Sequence, residues 1–168
     1  MTPLRVNFID VTTLDGYSIY SRSLIFVLYQ AVAQLFPKKT LRAEYFISNG
    51  IFCRIVNKEI ISELENKMKE IIQADYPIVR EEIPTDEAVL IFRKRGLKDK
   101  ADLMETRGKL FTSLYYLNDL PDYFYGTLAP STSCLKTFGL IPYKEGMLLQ
   151  LPDRTDPTRV LPVIPQDK

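Results

Sequence analysis

The chain has 168 residues, 46% of them apolar, and a formal net charge of +1. That length and composition suit one globular domain with a real core, and the near-zero charge gives no whole-chain field toward nucleic acid or an anionic membrane. Histidine is absent, which removes Ser-His-Asp and Cys-His nucleophile systems and every zinc site that needs imidazole.

From the N-terminus, LRVNFID (4–10) reads as a strand and Asp15-Gly16 as a turn. The opening decapeptide lacks the basic region and long apolar core of a signal peptide. The longest apolar run, Leu24 to Tyr29, is too short to span a bilayer. The expected location is therefore cytoplasmic, with no membrane partner. Cys53 and Cys134 are expected there as reduced, buried thiols.

Between Ser21 and Phe36, residues Leu24, Leu28, Ala31, Val32 and Leu35 share one helical face, and Ile25, Phe26, Val27 and Tyr29 add apolar surface elsewhere. A helix apolar nearly all round is a central, buried one. Pro37 stops it. LRAEYFIS, Asn49-Gly50 and IFCRIV then make the strongest short hairpin signal. Asn57 is placed to cap a helix striped by Ile60, Ile61, Leu64, Met68, Ile71 and Ile72. PIVREEI reads as a strand, and Thr85 as the cap of a helix that ends at Gly96. A short helix ending at Gly108, the strand KLFTSLYYL, and a closing pair of strands in KTFGLIPY and GMLLQLPD follow. The expected fold class is α+β, an antiparallel sheet packed against a long central helix. The division is 1–18 as a lead-in strand, 19–152 as the domain and 153–168 as a proline-rich linker or chain end.

Neither G-x-x-x-x-G-K-[ST] nor G-x-G-x-x-G occurs, so no phosphate-binding loop lies in these residues. The cations Arg93, Lys94, Arg95, Lys98 and Lys100 suit the C-terminal end of a helix and solvent. The acids Glu81, Glu82, Asp86 and Glu87 suit capping and solvation better than paired acid–base work, since strand neighbours point to opposite faces. The stretch PDYFYGTLAPSTS (121–133) holds more. With Tyr115 it offers rings, hydroxyls and an acid, and the candidate ligand pocket is Arg22, Tyr115, Asp122, Tyr125, Thr127 and Ser131. The competing reading is that the rings face the core.

Taken in order, SLIFVLYQAVAQLFP, YFISNGIFC, a Glu- and Lys-rich helix, IVREEIPTDEAVLIF and LPDYFYGTLAPSTSCLKTFGL resemble the second additional domain of threonyl-tRNA synthetases, over roughly residues 20 to 150. That domain also occurs in some alanyl-tRNA synthetase relatives and edits mischarged tRNA through H-x-x-x-H and C-x-x-x-H motifs. Matched by position, the first pair falls on Arg22 and Phe26 and the second on Phe124 and Leu128. All four chemical positions are replaced. Two aromatics and a leucine neither ligate a metal nor move protons, and the resemblance implies a cleft filled by packing. DGYSIYSRSLIFVL and METRGKLFTSLYYLNDLPDYFYGTLAPSTS resemble, more narrowly, the N-terminal region of bacterial uridine kinase-like nucleoside kinases. This implies a non-catalytic accessory domain with a P-loop kinase domain in cis. No cofactor is implied within these residues, and ATP and Mg are implied only for the longer kinase. A small ligand or RNA is the candidate partner. One alternative is a metal-free aminoacyl-ester hydrolase using Asp122, Tyr125 or Cys134. Another is an interaction scaffold built on the PVIP tail and the Arg93–Lys100 surface.

Overall fold

Thr13 sets the start of the first helix. Its Oγ1 accepts the Gly16 N–H at 3.0 Å, and Asp15 sits in the first turn, where a carboxylate favours the helix dipole. In this computed structural model, which describes residues 11–39, 41–47, 50–54, 57–160 and 162, helix α1 therefore spans Leu14–Leu35. Asp15-Gly16 is its first turn and not a loop, because the cap outweighs the local turn preference. The helix runs unbroken through the expected junction at 18–19. Leu24, Phe26, Val27, Leu28 and Ala31 have no exposed surface, as a helix apolar all round requires.

The expected hairpin forms from β1 (Arg42–Ile47) and β2 (Gly50–Arg54), antiparallel, with Ile47 opposite Gly50. Its turn residue Asn49, like the strand expected over 4–10, lies outside the described residues. The closing pair, β6 (Gly139–Tyr143) and β7 (Gly146–Gln150), joins the hairpin through β2–β7 and gives a four-stranded sheet of order β1-β2-β7-β6. A Cβ on Gly146 would lie 2.2 Å from the Cys53 carbonyl oxygen, so only glycine lets β7 meet β2 at that point.

Asn57 accepts the Glu59 N–H at 2.9 Å and opens a short 3₁₀ turn. Helix α2 (Ile61–Gln73) follows, with Ile61, Leu64, Met68, Ile71 and Ile72 buried. The main core lies between α1, α2 and one face of the sheet, where Ile51, Cys53, Met147 and Leu149 point inward. Alternation puts Ile47, Phe52 and Leu148 on the other face, in a smaller cluster.

A second sheet, β3 (Ile78–Pro84), β4 (Phe111–Leu117) and β5 (Leu120–Asp122), is antiparallel in that order. Helices α3 (Thr85–Lys94) and α4 (Lys98–Thr106) cover one of its faces, with Ala88, Val89, Phe92, Ala101 and Met104 packed on Leu114 of β4. Thr85, expected as the cap of α3, is its first residue. Its hydroxyl instead lies 2.9 Å from the Thr112 hydroxyl in a buried pair. The architecture is α+β with antiparallel pairing around a long central helix, its strands divided between two sheets. Residues 153–160 are not extended away from the domain. Asp153 N–H donates to the Arg159 carbonyl at 2.9 Å, Pro152 bridges Val160, and Arg154 donates to the Thr12 carbonyl. Among the described residues no helix is long and apolar enough to cross a membrane.

Both cysteines are free, but only Cys53 is buried and Cys134 is exposed. Burial, reinforced by the Glu44 charge, pushes the Cys53 thiol up to about 12. A thiol reagent at neutral pH should therefore modify one cysteine of the folded chain, Cys134, and reach the second only in denaturant. Rapid labelling of both, read by intact mass, would contradict this burial pattern.

Candidate functional site

One face of α1 fastens the loop that follows β5. Ser23 Oγ accepts the Ala129 N–H at 2.7 Å while donating to the Ile19 carbonyl. The Tyr20 hydroxyl donates to the Thr137 carbonyl at 2.7 Å and accepts the Thr137 N–H at 2.9 Å. Burial raises this phenol to about 12, so it stays a neutral hydrogen-bonding group. Residues 20 and 23 are one turn apart, and 22 and 26 the next such pair, so four side chains reach one loop.

Arg22 donates Nε and a terminal nitrogen to the Thr127 carbonyl at 3.2 and 3.1 Å. A Cβ on Gly126 would lie 2.7 Å from its guanidinium carbon, and glycine is what lets the cation lie flat against the loop. Phe26 packs on Phe124 with ring centroids 5.1 Å apart at 57°, a tilted arrangement within the centroid range of favourable aromatic pairs. Leu128 is buried in the same cluster. Arg22, Phe26, Phe124 and Leu128 are thus drawn together at the α1–loop seam.

Beside this seam lies a groove of ≈ 680 Å³. Its floor is one face of β3–β4. Cross-strand pairing sets Arg80 opposite Tyr115, Glu82 opposite Ser113 and Pro84 opposite Phe111, and paired residues share a face. Arg107, Lys109 and the 123–127 loop form its walls. Arg107 sits 5.1 Å over the Tyr123 ring and donates to its hydroxyl.

A second cleft, of ≈ 650 Å³, opens between the C-terminal half of α1 and the α3–α4 turn. Asp122 is buried there and accepts from Lys100 and from the Tyr123 N–H. Lys100 also sits 5.4 Å from the Tyr29 ring, whose phenol burial raises to about 12.

No protein-family model matches the chain. Curated proteins do match it. The threonine–tRNA ligase of Methylobacillus flagellatus is 35% identical over 133 residues, 76% of this chain and 21% of that protein. That of Teredinibacter turnerae is 33% identical over the same length. That of Saccharophagus degradans is 31% identical over 144 residues, 82% of this chain and 23% of that protein. The chain is related to a segment of threonine–tRNA ligases. It spans about a fifth of the length of these relatives.

Within this synthetase-derived domain the six candidate pocket residues divide. Tyr115, Tyr125 and Thr127 line the groove, and Arg22 lies behind it, against Gly126. Asp122 opens into the second cleft. Ser131 is in neither. It pairs with Pro77 across an isolated bridge, and its hydroxyl lies 3.2 Å from that of Ser133. The Ser133 and Ser131 hydroxyls together hold the Asp75 carboxyl below its ordinary range. Of the helical cations, Arg93 pairs with Glu105 and Lys100 with Asp122, while Arg95 donates to the Pro121 carbonyl. Sequence reading missed Arg80, Arg107 and Lys109. Arg80 lies on β3 and Arg107 and Lys109 just before β4, and no local pattern links cations across a strand pairing.

Proposed function

We propose that this domain is an accessory module, derived from the synthetase editing fold, that has lost hydrolysis and serves a uridine kinase-like nucleoside kinase in cis. The seam between α1 and the 124–128 loop is the observation that carries the reading. Ester hydrolysis needs a group to take a proton from water and donors for the developing oxyanion. At the four matched positions Arg22 is engaged with the Thr127 carbonyl, Phe26 and Phe124 fill each other's space, and Leu128 is buried. Asp122, the carboxylate of the alternative hydrolase reading, already accepts from Lys100 and a backbone N–H. The kinase context is supported by the resemblance of the α1 and 104–133 segments. It would bring ATP and magnesium chemistry on another part of the longer chain.

The domain should deacylate mischarged tRNA no faster than buffer alone. Hydrolysis above that rate, abolished by Asp122→Ala, would establish the metal-free hydrolase instead. The full-length chain should phosphorylate uridine with ATP, and a full-length sequence without G-x-x-x-x-G-K-[ST] would remove the kinase part of the proposal.

A further inference from the structure

We infer that the groove between the β3–β4 floor and the 123–127 loop is a binding site for a nucleoside phosphate, with the phosphate on Arg80, Arg107 and Lys109 and the base against Tyr125 and Phe111. The groove gathers positive charge on one small surface. Three cations against the single carboxylate of Glu82 leave a net +2 among the lining residues, in a chain whose whole formal charge is +1. Among the described residues Arg80, Arg107 and Lys109 are in no ion pair, so no bonded carboxylate offsets them. Both guanidinium groups are nonetheless held in place. Arg80 donates to the Ser113 hydroxyl at 3.1 Å, and Arg107 is fixed on Tyr123. Two oriented guanidinium forks and one ammonium suit a phosphate dianion.

The rings distinguish this site from a bare anion site. Tyr125 is 90% exposed and Phe111 is 55% exposed, and both line the same groove. A planar base stacked on such a ring removes apolar surface from water, and each base–ring contact contributes appreciably to affinity. Glu82, an acceptor on the same floor, suits ribose hydroxyls or a ring N–H. The volume, ≈ 680 Å³, falls within the usual range for small-molecule sites. Polymeric RNA would need a longer basic track than three residues in a chain of net charge +1. The inference rests on the chemistry of the groove and stands with or without a kinase in cis.

Isothermal titration with UMP, AMP, uridine, inorganic phosphate and an octamer of oligo-U would test it. UMP or AMP should bind with a dissociation constant below about 1 mM, and at least about tenfold more tightly than uridine or phosphate alone. Tyr125→Ala and Lys109→Ala, both at exposed positions, should each weaken nucleotide binding by about fivefold or more with unchanged melting temperature, and Lys109→Ala should also flatten the salt dependence. Three results would overturn the inference: no binding of either nucleotide, phosphate binding as tightly as UMP, or nucleotide binding indifferent to both substitutions. Octamer binding without mononucleotide binding would replace it with an RNA surface. Each of these leaves the deacylation result, and so the accessory-domain reading, standing.

Discussion

Phe26→Ala should lower the stability of the domain by about 3–5 kcal/mol, the range found when a buried phenylalanine is truncated. Phe26 has no exposed surface and is among the largest fully buried side chains. Its ring sits against Phe124, 5.1 Å between centroids, and removal loses that contact as well as the transfer term. The surroundings cannot easily collapse into the space, because the loop opposite is pinned from both sides. Ser23 holds Ala129, Arg22 holds Thr127 and Tyr20 holds Thr137. Phe124→Ala should cost less, since Phe124 is only partly buried. Urea denaturation of both variants checks the order. A loss below about 1 kcal/mol for Phe26→Ala would mean that the seam is not a packed contact.

The second large effect belongs to the Lys100–Asp122 pair. Lys100→Met should cost about 2 kcal/mol or more, because it leaves a carboxylate buried without its cation. The Asp122 side chain is 2% exposed, while Lys100 remains 32% exposed, so water reaches the ammonium and the loss falls toward the lower end for a buried pair. Adding Asp122→Asn to that variant should recover part of the loss, since a neutral amide needs no counter-charge. A double-mutant cycle followed by thermal unfolding measures the coupling. If Lys100→Met is neutral and Asp122→Ala is the damaging change, the hydrogen bond from Tyr123 N–H, and not the ion pair, is the main contribution of Asp122.

These two sites show where sequence reading reached and where it stopped. The all-round apolar character of residues 24–32 was enough to place α1 at the centre, and Phe26 with it. The matched motif positions set Phe124 with Phe26 in a cleft filled by packing. The start of α1 was misread because Asp15-Gly16 is a turn dipeptide when taken alone, and only the Thr13 cap makes it helical. Cys134 was expected inside, since nothing in PSTSC (130–134) reveals which side of the 3₁₀ turn at Thr132–Cys134 faces water.

The sequence by itself determined the helices, the two local hairpins and the α+β class, because those follow from periodicity, caps and turn residues within a short window. The order and identity of the segments also carried the kinship with threonine–tRNA ligases. Only the tertiary structure decided that β2 pairs with β7, that the strands form two sheets, that Lys100 answers Asp122, and that Arg80, Arg107, Lys109 and Tyr125 share a groove. Each of these joins residues from separate segments through register and packing. Such contacts leave no periodic trace in the chain, and charge, unlike hydrophobicity, has no short-range pattern that says which distant partner it will meet.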